Sequence, residues 1–326
     1  MNSKILFANW QVGTRGDYGN LLVGCTCSEV FFSKPYGRFL RVITDDRSYL
    51  AQLEMEYELS PSTDSDIDTL VYLTKVRNSE DHLGSSCIDA FVNLDDREIV
   101  INGVNHYGYF KSVLLGSFGF FDEIDCPDNV SIHAALISLS DKGILFVAPS
   151  GRGKSTYSLG LNNEKGFTLV SDDWVIVDGK DLSGRRGDIA MRMPKERLED
   201  FDFSAEEVKF LHHPSESKIE VLPCELSDFA FSDRYTINEI ILLGEMDISD
   251  RQSVVEAIMS ASYHIPFNFP CGVVLPTLPN DVIQIVQNRS IKFLHLIESA
   301  EIKSVDVFKG TIQQSLDNLR RLLKND

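Results

Sequence analysis

The chain has 326 residues, 43% of them hydrophobic and 25% charged, with a formal net charge of −18 at pH 7. A chain of this length buries roughly three quarters of its unfolded surface, so it needs neither disulfides nor metals to fold. So acidic a balance argues against general nucleic-acid binding and against docking on anionic membranes.

The first residues, "MNSKILFANWQ", lack the long apolar core of a signal peptide. Residues 1 to about 125 then read as short strands: "LLVGCTCSEVFF", "RFLRVIT", "SYLAQLEMEYEL", "TLVYLTKV", "CIDAFVNL" and "REIVING". Turn clusters such as "SPSTDSD" and "NSEDHLGSS" separate them. Their aromatic and β-branched content favours sheet over helix, and no motif there carries chemistry. The polar, acidic "FDEIDCPDN", residues 121–129, is broken by Pro127 and marks the domain boundary. The expected organisation is a β-rich N-terminal domain over 1–125 and a second domain over 126–326.

Beyond the boundary the texture changes. "SIHAALISL" and "GILFVAP" are apolar strands joined by "SDKG", a tight turn ending at Gly143, so a hairpin leads into a glycine-rich loop. "KSTYSLGLNN" reads as a short helix ended by Asn-Asn, "FTLVSDDWVIV" as a strand and "DGKDLSGRRGD" as a loop. From about 230 the pattern is mixed: a strand "EIILLGEM", a helix "RQSVVEAIMSA", and strands near "DVIQIVQN" and "IKFLHLIE". Ala257 to Asn280 is free of Asp, Glu, Lys and Arg but carries Pro266, Pro270, Pro276 and Pro279, so it cannot be a membrane helix. A cytoplasmic protein with no membrane partner is expected. Near the end, Ile312, Leu316, Leu319 and Leu323 stand at helical spacing, as in a closing amphipathic helix.

The glycine-rich loop carries the strongest chemical signal. The phosphate-loop pattern G-x-x-x-x-G-K-[ST] is met by Ala148-Pro149-Ser150-Gly151-Arg152-Gly153-Lys154-Ser155, followed by Thr156, with Ala in place of the first Gly. Strand before and helix after are the context the pattern requires. Gly151 and Gly153 let the backbone turn its N–H groups inward toward phosphate oxygens, and the helix start aims its positive end at the same place. Lys154 would reach the β- and γ-phosphates of ATP, and the Ser155 hydroxyl would ligate Mg²⁺. Pro149, Ser150, Arg152 and Thr156 complete the nucleotide-binding stretch.

Asp172 and Asp173 end the apolar run "FTLV-S". Adjacent carboxylates in a strand are unfavourable unless something cationic compensates them. Successive side chains point to opposite faces, so one acid can meet Mg²⁺ while the other meets an acceptor hydroxyl as general base.

The stretch "IHAALISLSDKGILFVAPSGRGKSTYSLGL…GFTLVSDD", residues 132–173, resembles the catalytic core of HPr kinase/phosphorylase and the wider HPr-kinase-like proteins. The shared order is a strand histidine, a hairpin, a glycine loop ending in GKS/T, a helix, and a strand ending in Asp-Asp. The resemblance implies an α/β fold with α+β character: an HPr-kinase-like P-loop kinase core with a mixed sheet, related in design to ATP-dependent phosphoenolpyruvate carboxykinase. It implies that Asp172 accepts the hydroxyl proton, that Asp173 lies near the metal, and that His133 stands beside the phosphate site. Family members phosphorylate a serine of a small protein, and some relatives act on the C-terminal serine of lasso-peptide precursors. The expected acceptor is therefore a peptide, protein or small-molecule hydroxyl. No E-x-R-G-type signature follows downstream, which makes HPr itself and the reverse phosphorylase reaction poor expectations. Family members often form hexamers, so a homo-oligomer is compatible with the resemblance. Two other readings stay open: a kinase for a free amino acid or sugar, and a nucleotide-binding regulatory protein with little turnover, in which the N-terminal strands are the working part.

Other residues weigh less. Arg185, Arg186 or Arg192, following the acid pair, could stabilise charge on a transferring phosphoryl group, or serve solubility. His212-His213 has no third ligand at metal spacing, and His82, His106, His264 and His295 are isolated. The six cysteines, Cys25, Cys27, Cys87, Cys126, Cys224 and Cys271, form neither a zinc site nor a disulfide framework, and read as mostly buried thiols in a reducing compartment.

Overall fold

The computed structural model describes residues 9–12, 22, 25–33, 36–54, 57–60, 67–74, 89–93, 96–102, 114–115, 118–119, 121–149, 152–162, 164–188, 191–194, 210–211, 218–221, 230–244, 246–262, 280–306 and 311–324, and all structural statements concern these. They separate into two compact units, one ending at Phe121 and one beginning at Asp122. Both combine helices with mixed sheets, an α/β architecture.

The first unit contains β1 (Asn9–Val12), β2 (Cys27–Ser33), β3 (Arg38–Thr44), α1 (Arg47–Leu53), β4 (Glu58–Leu59), β5 (Thr69–Thr74), β6 (Asp89–Asn93) and β7 (Glu98–Asn102). Its sheet runs β1-β6-β7-β5-β3-β2-β4. The central strands β3, β5 and β7 are parallel, and β2 and β6 add antiparallel hairpins outside them. Val71, Leu73, Ile99 and Ile101 of the centre are fully buried. "SYLAQL" is not the expected strand but helix α1. Asp46 Oδ1 accepts a hydrogen bond from Ser48 N at 2.9 Å, capping the first turn. Tyr49, Leu50 and Leu53 are then buried on one helical face, where a strand would have divided them between two. A parallel step from β3 to β5 also demands a crossover rather than a hairpin.

The second unit opens within a helical turn, residues 122–125. Then follow β8 (Asn129–Ile132), β9 (Ala134–Leu139), β10 (Lys142–Val147), α2 (Lys154–Leu159), β11 (Thr168–Ser171), β12 (Val175–Asp178), β13 (Ser183–Arg186), β14 (Met191–Pro194), β15 (Phe210–Leu211), β16 (Lys218–Val221), β17 (Arg234–Leu243), α3 (Arg251–Ser262), α4 (Asn280–Ser299), β18 (Glu301–Val305) and α5 (Ile312–Lys324). The main sheet runs β11-β9-β10-β17-β13-β12-β8, with β18 parallel to β17; β14-β16-β15 form a small separate sheet. Alternate residues of the same strands feed two cores. Ile137, Ile144, Phe146 and Ile241 pack with Leu159 of α2 and with Leu316 and Leu319 of α5. Leu136, Leu145, Ile240 and Leu242 pack with Val254 of α3 and with Phe293 and Leu296 of α4. Burial on both faces is why these strands read as continuous apolar runs. Ser140 and Asp141, at φ 51° and 67°, make the tight two-residue turn between β9 and β10.

Six expected elements differ. "DGKDLSGRRGD" is not all loop: β13 lies within it, antiparallel to β12 and β17. Its apolar alternation is missing because Gly184 lies against the core; a Cβ there would sit 2.4 Å from Leu136 Cδ2. "DVIQIVQN" and "IKFLHLIE" are not two strands but the single helix α4. No Gly or Pro separates them, and Arg289, Phe293, Leu296 and Ile297 are buried at spacings of three to four residues or their multiples, one helical face. "SIHAALISL" and "FTLVSDDWVIV" each break in two, at His133 and at Asp172–Trp174. Helix α2 stops at Gly160, short of Asn-Asn. Cys25 and Cys27 are half-buried and Cys126 is exposed, so the described cysteines are not the buried thiols expected; Cys87, Cys224 and Cys271 lie outside the described residues. Among the described residues no helix is long and apolar enough to cross a membrane.

Candidate functional site

Strand register brings the sequence-predicted residues together. Val147, the last residue of β10, pairs with Ala134, the first of β9. The glycine loop therefore leaves the sheet beside His133. On the other side of this stretch, Ser171 pairs with Leu136 and Val175 with Ile132. Residues 129–139 and 168–178 thus form one antiparallel ribbon, bent where His133–Ala135 oppose Asp172–Trp174. The bend is locked: Ser171 Oγ donates to Trp174 O at 2.5 Å and Gly187 N donates to the same oxygen at 2.8 Å. A Cβ on Gly187 would lie 2.0 Å from Trp174 Cδ1, so only glycine fits. Ser171 and Gly187 were not singled out in the sequence; a Ser directly before the acid pair and a Gly directly after Arg185-Arg186 are the only signals they leave.

At the bend the two acids part. Asp173 Oδ1 lies 2.8 Å from His133 Nε2, so Nε2 carries the hydrogen and His133 orients that carboxylate. The Asp173 side chain is 26% exposed, whereas Asp172 is 2% exposed. One carboxylate is reachable from solvent and the other is buried; because the acids lie in the break between β11 and β12 rather than in a strand, the bend and not strand alternation parts them.

In the loop, Gly153 adopts φ 90° and a Cβ there would press 2.8 Å from the Tyr157 ring, so this position demands glycine. Lys154 is buried, and its ammonium donates to Ala148 O at 3.0 Å and lies 3.5 Å from Pro149 O. The positive charge is held within the loop rather than spread into solvent. Helix α2 has only six residues, so its dipole adds little and the positive charge of the loop comes from Lys154 and Arg152. Arg152 and Pro149 are exposed, and Ser155 and Thr156 are half-buried on the first turn of α2. Ser150 and Gly151 lie outside the described residues.

Among the described residues no group of three or more His, Cys, Asp and Glu could alone hold a metal. Magnesium carried by a nucleotide needs no such group, because one or two protein ligands with phosphate oxygens and waters complete its shell. The hard oxygens of Ser155 and Asp173 suit that role, and the buried Lys154 ammonium within the loop suits a phosphate tail.

The arginines divide. Arg185 NH2 pairs with Asp122 Oδ1 at 3.1 Å. Arg186 Nε donates to Val170 O at 3.0 Å, on the strand that leads to Asp172, and its guanidinium lies over Phe231 at 5.5 Å. Neither is a merely solvated charge. The Arg192 side chain and His82, His106, His212, His213 and His264 lie outside the description, and His295 is exposed on α4. No protein-family model matches the chain, and no curated protein matches its sequence.

Proposed function

We propose that the second unit is an ATP- and Mg²⁺-dependent kinase of the HPr-kinase-like type, transferring the γ-phosphate to a hydroxyl, foremost a serine of a peptide or protein. One observation carries this reading. The register Val147–Ala134 delivers the glycine loop to the bend where His133 and the acid pair meet.

Lys154 and the loop amides would hold the phosphates and offset their charge. Ser155 and Asp173 would hold Mg²⁺, with His133 fixing the Asp173 carboxylate. When bound, Mg²⁺ neutralises charge on the β- and γ-phosphate oxygens. Transfer breaks the bond from the γ-phosphorus to the bridging oxygen, forms one to the acceptor oxygen, and passes the hydroxyl proton to Asp172. Because Asp172 is only 2% exposed, the acceptor must enter the bend to reach it. A side chain presented on an extended peptide can do this more readily than a bulky folded surface.

The test is Asp172→Asn with γ-labelled ATP and a cell extract. Loss of all labelled product with nucleotide binding retained supports the assignment; transfer that survives the substitution removes Asp172 as base. A wild-type chain that binds ATP but labels no acceptor is instead a nucleotide-binding regulatory protein.

A further inference from the structure

A cavity of about 360 Å³ opens at the other end of β10 from the glycine loop. Lys142 begins this strand and the loop leaves its end, so the two places lie about 20 Å apart at roughly 3.3 Å per residue. The volume falls at the lower end of the range of small-molecule pockets. Ile144, Leu161 and Leu323 supply an apolar lining, and Lys142, Lys165 and Arg320 supply cations.

The two carboxylates of the lining are already engaged. Glu239 is 2% exposed and is shared by Lys142 Nζ at 3.1 Å and Lys303 Nζ at 3.2 Å, two ammonium groups to one carboxylate. Glu164 lies 2.8 Å from Arg320 Nε. The Lys142 side chain is nonetheless 44% exposed, so its ammonium can serve Glu239 and a ligand together. Lys165 is exposed beside it. Glu301, 3.4 Å from Lys303, and Asp317, 3.1 Å from Arg320, offset part of the remaining charge, which leaves Lys165 and the exposed part of Lys142 as the cations offered over the apolar floor. Two of the cations are held in place: Lys142 by Glu239, and Arg320 by Glu164 and by the bond from its NH2 to Gly160 O at 3.2 Å at the end of α2. Pre-organised charges lose less on meeting a ligand than mobile ones.

We infer that this cavity binds a small organic anion, its carboxylate or phosphate head held by Lys142 and Lys165 and a short apolar body lying against Ile144, Leu161 and Leu323. The site is distinct from the glycine loop and its occupancy does not depend on the kinase reading.

Isothermal titration of the full chain without nucleotide tests this, with hexanoate and phenyl phosphate as probes and hexanamide as the neutral control. Saturable binding of at least one anion at a single site is expected, with none for hexanamide, and the two arms tell which head group is preferred. Lys142→Gln with Lys165→Gln should weaken that binding about tenfold, the loss of charge-assisted hydrogen bonds. Lys303 still pairs with Glu239 in that variant; should it fail to fold, Lys165→Gln alone, at an exposed position, must show a measurable loss. Addition of ATP and Mg²⁺ should leave the anion in place. No saturable binding by either anion, equal binding of hexanamide, unchanged affinity in the lysine variants, or displacement by ATP would each overturn the inference.

Discussion

At the scale of single residues, two positions decide how the loop and the acid pair work. Gly153 stands at φ 90° with the Tyr157 ring against it. Gly153→Ala is expected to lower the stability of the second unit by about 1–3 kcal/mol and to weaken nucleotide binding. Urea unfolding and titration with a fluorescent ATP analogue measure the two effects; unchanged affinity would put the loop amides away from the phosphates. His133 Nε2 lies 2.8 Å from Asp173 Oδ1, so under the proposed function it orients that carboxylate. His133→Ala should raise the Mg²⁺ concentration needed for half-maximal transfer while leaving ATP affinity nearly unchanged. A comparable loss of ATP affinity would make His133 a phosphate ligand instead. The loop and the acid pair were legible because each is a local pattern. The His133–Asp173 contact was not, because the two residues are far apart in the chain and only the pairing of β8 with β12 brings them together.

At the scale of elements, the bent ribbon is braced from outside by α4. Arg289 meets Glu123 through Nε at 2.7 Å and NH2 at 2.9 Å, and Glu123 Oε1 also accepts from Ser131 N at 3.1 Å, two residues before His133. The Glu123 side chain is fully buried. Arg289→Met strands that carboxylate and is expected to cost about 3–5 kcal/mol, whereas the double change Arg289→Met with Glu123→Leu should recover most of the loss. Denaturant midpoints of the three proteins decide it; a double variant no better than the single one refutes the account. Helix α4 is also where composition misled. Its β-branched residues suggest strands, and only the burial of Arg289, Phe293, Leu296 and Ile297 along one face reveals the helix. Strand β13 was hidden for the opposite reason, since Gly184 gives up its side chain to make room for Leu136.

At the scale of the whole molecule, pH should separate the two units. In the second, the hydroxyl and amide of Ser183, with Arg234, hold the Asp181 carboxyl down at about 2 against an ordinary 3.8. A lowered carboxyl stabilises the fold above its ordinary value, and that contribution is lost as pH falls from 3.8 through 2. In the first, burial pushes the Tyr49 phenol up to about 12 from 10.0, with Asp46 and Asp45 adding to the shift. A raised phenol favours the fold below pH 10, and the advantage is lost as pH rises through 12. Thermal melts across the pH range should show an acid slope removed by Asp181→Asn and an alkaline slope removed by Tyr49→Phe. The acid effect is the smaller, because Asp181 is solvent-exposed. Slopes that persist in these variants would assign the titration to other groups.

The amino-acid sequence by itself determined the features that rest on neighbours along the chain: the apolar strands flanking the glycine loop, the GKST run, the acid pair and the spacing of α5. Their physics is local, set by glycine's backbone freedom, helical and strand periodicity, and the cost of adjacent charges. Only the tertiary structure decided which acid is buried, which histidine holds the other, and that a glycine-rich loop contains β13. Those outcomes depend on partners far apart in the chain, such as Leu136 against Gly184 and Ile132 against Val175, and no short window of residues contains both members of such a pair.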